Sequence, residues 1–422
     1  MYQLMTFTLN FNTKFPRQII HPISYSNLLN FFFFSRTHKI KNKISKIFSL
    51  NNKNLIFIGR ARTAVYLILK YFLKYNKKKI VIIAPFTIPA IINLIKKAGA
   101  KPLFVDFKKN TTCLNLNDLK KKIKKYKPLA LIITHYHVNE YNYKEICNYC
   151  KKFDVKVIED CAISYFGKSR NTRINSLSDA SFFSFSSFKA LNYFYGGAIY
   201  TKNKKLNEFI VNHTKNWKTL TLFDYLPQAL QTKLYQVLTF QSVFNFFTFF
   251  FIKKKNNKNI KKNYFSSEKI YNNYFKNPSN GFYWELESKI SSLKNTIRHR
   301  QKISEIYYNH LRSLSVLPYN FSKKDIFENS FNFYLIQSEN SYKIRKKLYE
   351  KGLDTGKLFY ENCEKISNNI NNKKSNNIDD LINKIIILPT HIRIKKSYAK
   401  FLSKNILEID RNLKNEKKKN YR

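Results

Sequence analysis

The sequence predicts an α/β protein: a larger domain built on a mostly parallel sheet between helices, and a smaller C-terminal α+β domain. Three observations carry this. Short apolar runs alternate with helix-length stretches from Leu55 to about residue 200. The runs are continuously apolar rather than alternating, as expected of strands covered on both faces. At 422 residues and 50.4 kDa the chain is long enough for two cores.

Taken in order, Leu55–Ile58 reads as a strand and Thr63–Tyr75 as a helix with apolar residues at helical spacing. Lys79–Ala84 is the next strand, Ile88–Ala98 a helix and Pro102–Asp106 a strand. Leu116–Lys125 is a basic helix, Ala130–Thr134 a strand, Tyr143–Phe153 a helix and Lys156–Asp160 a strand. Ala180–Phe185 and Gly197–Thr201 complete the set. In open parallel sheets ligands bind at the carboxyl ends of the strands, and Asp106, Thr134 and Asp160 stand at such ends.

The pattern breaks near Asn216. The expected division is an N-terminal extension over 1–52, a large domain over 53–215, an aromatic and basic insertion or lid over 216–276, and a small domain over 277–422. In the last, Leu286–Leu311 reads as a long amphipathic helix. Phe331–Gln337 and Lys384–Leu388 are strand candidates, Lys396–Leu407 a helix, and Asn362–Asp380 a polar loop.

The formal charge is +51. Either the chain binds a polyanion, or its composition has drifted toward Lys, Asn, Ile, Phe and Tyr. The lysines are spread over every segment with no nucleic-acid signature, so no specific nucleic acid is expected. Five cysteines without regular spacing point to a reducing compartment, and hence to a cytoplasmic protein without a disulfide framework. Cys147 and Cys150 form a lone CxxC on a helix, read as solvated or half-buried positions rather than a metal or redox pair; no metal site is expected. The first residues lack a charged start before an apolar core, so no cleaved signal is read there. Leu28–Phe34 is too short to span a bilayer. Val237–Ile252 is the most apolar run and leads into Lys253-Lys254-Lys255. It suits an interfacial helix, with peripheral contact through 237–255 at the inner face of a membrane, or else a helix packed on the protein itself or its dimer partner.

The chemistry is carried by Lys189. An apolar strand ending in Glu159-Asp160 precedes it, Ser184 lies five residues before it, and Gly196-Gly197 follow. An acid for a ring nitrogen, a hydroxyl for a phosphate and an amine for a carbonyl are what a pyridoxal 5′-phosphate enzyme requires. His135, after a strand, either faces such a pocket or packs in the core. Phe86 likewise lies near the ring or in the core.

These residues resemble the DegT/DnrJ/StrS aminotransferases. Gly59-Arg60-Ala61-Arg62-Thr63-Ala64 is similar to the family's Ser-Gly-Thr-Ala phosphate turn. Val157-Ile158-Glu159-Asp160-Cys161-Ala162 resembles its Glu-Asp-Ala-Ala motif, and Ser184 and Lys189 have its serine–lysine spacing. Gly196-Gly197-Ala198, Asn280 six before Leu286, and Leu388-Pro389-Thr390-His391 look like its later elements. The resemblance covers about residues 55–200 and 277–410. It implies the aspartate-aminotransferase type of PLP-dependent transferase fold (type I), a homodimer with active sites at the interface, and transamination. Lys189 would attach the cofactor and Asp160 meet its pyridinium. Ser184, Arg62 and Thr63 would hold its phosphate, Ile88 and Ile163 would lie against its ring, and Asn280 would reach the neighbouring subunit's phosphate.

The implied donor is an amino acid, L-glutamate in most of the family, and the implied acceptor a nucleotide-linked keto-sugar for surface polysaccharide. The family's dehydratase branch carries histidine where this chain has Lys189. The chain departs from the pattern at Arg62 (glycine), Ile88 (a ring-stacking aromatic), Ile163 (a polar residue), Tyr195 (an acid) and Phe282 (an arginine). Those changes leave a second reading: a catalytically weakened member acting as a binding or membrane-associated component.

Overall fold

Continuous apolar runs make a central sheet because no face of it can be left to water. In the computed structural model, which describes residues 14–28, 37–136, 142–165, 167–169, 172–256, 270–318, 321–357, 360–365 and 375–419, seven strands form it. They are β1 (Leu55–Ile58), β2 (Ile80–Ile83), β3 (Lys101–Phe104), β4 (Ala130–Thr134), β5 (Lys156–Asp160), β6 (Ala180–Ser184) and β7 (Gly197–Tyr200), in the order β1-β7-β6-β5-β4-β2-β3. β7 alone is antiparallel to its neighbours; β3, β2, β4, β5 and β6 run parallel.

The crossover helices are α2 (Thr63–Lys74), α3 (Pro89–Ala98), α4 (Leu116–Tyr126) and α5 (Tyr143–Lys152), with α1 (Thr37–Phe48) before β1 and α6 (Lys204–Thr214) after β7. Each predicted strand and helix of this domain is present, with ends shifted by at most two residues. α3 shows why its bounds are sharp: Pro89 opens it, and Gly99, at φ 99°, closes it in the left-handed conformation.

The region read as an insertion is helical. α7 (Leu222–Leu238) starts in a Thr221–Asp224 capping box and tolerates Pro227. A second helical segment starts at Gln241, is π-helical over Phe244–Thr248 and ends as α8 (Phe249–Asn256). The two segments meet at 66°, and no single described helix is long and apolar enough to cross a membrane.

α9 (Asn280–Leu311) begins six residues before its predicted start and joins the domains. Its first half packs with the sheet-side core and its second half with the small-domain core. That core also holds β8 (Tyr334–Gln337), paired antiparallel with β9 (Ile385–Leu388), and the helices α10 (Ser341–Glu350), α11 (Asn376–Lys384) and α12 (Lys396–Lys419). α12 runs twelve residues past its expected end at Leu407.

Much of the expected N-terminal extension is packed into the body of the protein. Ile20 and Ile23 join the large-domain core and Phe15 the small-domain core. Arg17 pairs at 2.8 Å with Asp354, whose side chain is 2 % exposed. The first thirteen residues, nearly all of the Leu28–Phe34 run and the middle of the Asn362–Asp380 loop lie outside the described residues.

Candidate active site

Strand register places the first functional groups. In β4, β5 and β6, Thr134 pairs with Asp160 and Asp160 with Phe182, so three strand ends form one row. Side chains alternate along a strand, and Glu159 and Asp160 accordingly have different surroundings. Glu159 is fully buried and accepts hydrogen bonds from the Tyr143 hydroxyl, the Asn175 N–H (2.9 Å) and the His135 ring (3.2 Å). His135 is therefore the packed histidine, not a pocket residue. With Cys161 these side chains lie close enough to suggest a metal site, but Glu159 is already saturated with donors. Asp160 lines the cavity instead.

That cavity has a volume of about 190 Å³ and opens to solvent. Its wall brings together Arg62, Ile88, Asp160, Ile163, Ser184 and Lys189, six of the predicted site residues. Phe86 also lines it, while being wholly buried. Thr63 lies outside that wall. Its hydroxyl donates to the Tyr274 carbonyl at 2.8 Å, because the first turn of α2 directs it at the 270–276 strap rather than the cavity. Asn280 stands at the first position of α9, also outside the wall. Sequence reasoning missed Tyr136, Ser186 and Tyr360. Tyr136 follows the end of β4 by two residues, a position the strand-end rule could have flagged. Tyr360 comes from a segment without periodicity and packs its ring 5.2 Å from Phe86 and 5.9 Å from Tyr136.

The Lys189 loop is pinned at several points. Lys189 N–H closes a turn on the Ser186 carbonyl at 2.9 Å, and Tyr193 N–H returns to Phe185 O at 2.6 Å. Asn192 donates to Ser187 O at 2.9 Å and is itself held by Lys289 at 2.8 Å. The glycines that follow are steric necessities. A Cβ on Gly197 would run into the backbone of Ala61, and one on Gly196 into the Phe282 ring. Phe282 thus fills space between the glycine turn and the core, and Tyr195 carries the Arg60 guanidinium 3.1 Å above its ring.

Burial, the largest effect, and the positive charges of Arg62 and Arg300 bring the Lys189 amine down to about 8, against the pull of Asp160. Burial pushes the Asp160 carboxyl up; the Ala162 N–H, Lys189 and His135 partly offset it. Ser184 and Ser186 hydroxyls lie 3.3 Å apart at the cavity, near the α2 N-terminus that carries Arg62. Hydroxyls, a guanidinium and a helix N-terminus suit a phosphate dianion. A buried amine near neutrality suits carbonyl capture, and a carboxylate across the cavity suits a pyridinium. These groups fit pyridoxal phosphate.

Residues 45–216 match the DegT/DnrJ/EryC1/StrS aminotransferase family. GDP-perosamine synthase of Escherichia coli O157:H7 is 28 % identical over 153 residues, 34 % of this chain and 42 % of that protein. UDP-4-amino-4,6-dideoxy-N-acetyl-beta-L-altrosamine transaminase of Campylobacter jejuni is 29 % identical over 158 residues, 36 % of this chain and 41 % of that protein. The chain thus spans about two fifths of the length of these curated relatives. The structure of Helicobacter pylori PseC, an aminotransferase of pseudaminic acid biosynthesis, superposes with a TM-score of 0.68 at 14 % identity, over 95 % of this chain and 99 % of that one. The two chains share a fold.

The CxxC cysteines are on the buried side of α5 rather than half-exposed, and burial raises both thiols, that of Cys150 to about 12. Such thiols are unreactive.

Proposed function

We propose that this chain is a member of the DegT/DnrJ/EryC1/StrS family and a PLP-dependent aminotransferase that moves an amino group from an amino acid, L-glutamate, to a nucleotide-linked keto-sugar for surface polysaccharide. The observation that carries the proposal is the meeting of Lys189, Asp160, Ser184, Ser186 and Arg62 in one cavity. Lys189 would hold the cofactor covalently, Asp160 would keep a proton on its pyridine nitrogen, and Ser184, Ser186 and Arg62 would bind its phosphate. When bound, pyridoxal phosphate supplies the exchangeable carbonyl and the electron-accepting ring.

The chain's own part is proton and charge control. At pH 7.5 an amine of pKa about 8 is roughly one quarter neutral, against roughly one in a thousand for an ordinary lysine. The neutral form is the nucleophile, so burial gains reactivity at the expense of charge. Ile88, Ile91 and Ile163 wall the cavity with aliphatic side chains and exclude water from the reacting centre.

Sugar-nucleotide chemistry is supported by the names of the relatives, a GDP-perosamine synthase and a UDP-linked transaminase. The weakened-member reading is not favoured, since the site departures at Tyr195 and Phe282 are packed replacements that leave the cavity groups intact. A homodimer in which Asn280 reaches the partner's phosphate, and a cytoplasmic location, complete the proposal. So does peripheral membrane contact. The 237–255 stretch exposes Phe246, Phe247, Phe250 and Phe251, and α7 before it exposes Leu226, Leu230 and Leu234 at four-residue spacing.

Purified protein tests the enzyme. PLP addition should give a visible absorption band that borohydride fixes to Lys189 by peptide mapping, and glutamate should shift that band with release of a 2-oxo acid. Protein that takes up no PLP refutes the proposal.

A further inference from the structure

The wall of the main cavity is built by the large domain, with one exception among the described residues: Tyr360. A short strand, Glu361–Asn362, pairs antiparallel with Phe86–Thr87 and brings Tyr360 to the edge of the cavity. The pairing is reinforced. Cys363 N–H donates to the Pro85 carbonyl at 2.9 Å, its thiol to the Thr87 carbonyl at 3.3 Å, and the Asn362 side chain to Asp379 at 3.0 Å. The backbone beside Tyr360 is therefore held largely by main chain of the large domain.

Four aromatic rings reach this wall: Phe86, Tyr136, Phe182 and Tyr360. The first three are exposed by no more than 1 % and serve the core. Tyr360 is only half-buried, so it is the ring that still offers surface to the cavity. Phe86 and Tyr136 meet it at interplanar angles of 78° and 68°. Among the described residues no ring lies parallel to it, and a face is left without a stacked partner. Burial and the charge of Asp160 push the Tyr360 hydroxyl pKa up, while Arg62 opposes them. Tyr360 thus lies within electrostatic reach of the residues proposed for both ends of the cofactor, its ring nitrogen and its phosphate.

Otherwise the wall offers a planar ring aliphatic side chains, Ile88, Ile91 and Ile163 among them. Aliphatic groups exclude water but have no preference for an electron-poor ring. The face of a tyrosine is electron-rich and attracts such a ring, the more so when the ring is protonated. We propose that Tyr360 is the aromatic stacking partner of the cofactor's pyridine ring, supplied from outside the large domain. This rests on the PLP-dependent aminotransferase reading. It gives the 360–365 segment, far in sequence from the motif residues, a part in completing the cofactor site.

The test uses the purified full-length chain and pyridoxamine 5′-phosphate, which has no aldehyde and so reports ring and phosphate contacts without a bond to Lys189. Inorganic phosphate is the ringless competitor. By calorimetry, Tyr360→Phe should bind pyridoxamine phosphate as the unmutated chain does. Tyr360→Leu keeps apolar bulk without an aromatic face and should bind it about five-fold more weakly. The competition constant of inorganic phosphate should be the same in all three proteins. On the unmutated protein, pyridoxamine phosphate should protect Tyr360 from nitration by tetranitromethane, read by peptide mapping, and saturating inorganic phosphate should not. That measurement decides the matter even if the variants do not fold. Equal or tighter binding by a folded Tyr360→Leu, the same loss in Tyr360→Phe, or a phosphate constant that moves with them overturns the stacking role. So does a Tyr360 that resists nitration, or is nitrated regardless of pyridoxamine phosphate. If the unmutated chain binds no pyridoxamine phosphate and forms no borohydride-fixed PLP adduct on Lys189, the aminotransferase reading itself falls; an adduct with affinity indifferent to Tyr360 removes only the stacking role.

Discussion

Burial strips water from the Lys189 ammonium, Arg62 and Arg300 repel its charge, and Asp160 supports it. The reactivity of this one side chain can therefore be moved in either direction. The neutral amine attacks the aldehyde, so the rate of PLP capture by apoprotein, trapped with borohydride, should rise with pH through a midpoint at about 8. Arg62→Gln removes a charge that depresses the pKa, so its midpoint should move up, on the order of half a unit. Asp160→Asn removes the charge that supports the ammonium, so its midpoint should move down. Shifts of the same sign in both variants would mean that the neighbouring charges do not govern the amine. The motif spacing was enough to read Lys189, Asp160 and Ser184 from the sequence. Arg300 was not readable, since nothing in a chain of 77 lysines and arginines marks one that loses its water and gains no acid.

Among the elements, β7 is the one whose sequence is fixed by its neighbours. It runs against the other strands at the point where α2 begins, and Gly197 lies on the Ala61 backbone. A methyl group there has nowhere to go, because the obstacle is main chain and not a mobile side chain. Gly197→Ala should cost about 3 kcal/mol in urea unfolding and weaken PLP binding by separating β7 from the α2 turn. Gly99→Ala is the comparison. It has room for the methyl group but a φ of 99°, and should cost about 1 kcal/mol with PLP affinity intact. Equal effects would remove the steric argument.

The parallel strands were legible because each is apolar end to end and bounded by polar turns. α7 was not read as a helix: Pro227 argues against one, and the Thr221–Asp224 cap with the buried Tyr225 and Ala229 overrides it. The start of α9 at Asn280 was missed because Gly281 and the aromatic run Phe282-Tyr283-Trp284 lack helical spacing. Tertiary packing of Phe282 under Gly196 supplies the reason that the local sequence does not.

At the scale of the whole molecule, the charge of +51 and the apolar face of α7 and the following segment must be read together. The exposed side chains include Phe223 at 82 %, Phe246 at 72 % and Phe251 at 72 %. Contiguous apolar surface of this kind marks a partner. A second copy would bring equal positive charge to the contact, whereas an anionic bilayer offers apolar depth and opposite charge together. Flotation with vesicles should therefore show binding to anionic but not to neutral lipid, reduced at 0.5 M salt as screening shortens to a few ångströms. Replacing Leu230 and Phe247 together by Asn removes two side chains each worth roughly 1.5–3 kcal/mol on burial. The double variant should lose at least ten-fold in vesicle affinity while keeping PLP capture at Lys189 and its sedimentation coefficient. If instead the variant sediments as a smaller species and floats as before, the face belongs to a second copy of the chain and the membrane reading is wrong. If it retains full vesicle binding and its size, charge alone governs the contact, and the apolar face has no part in it.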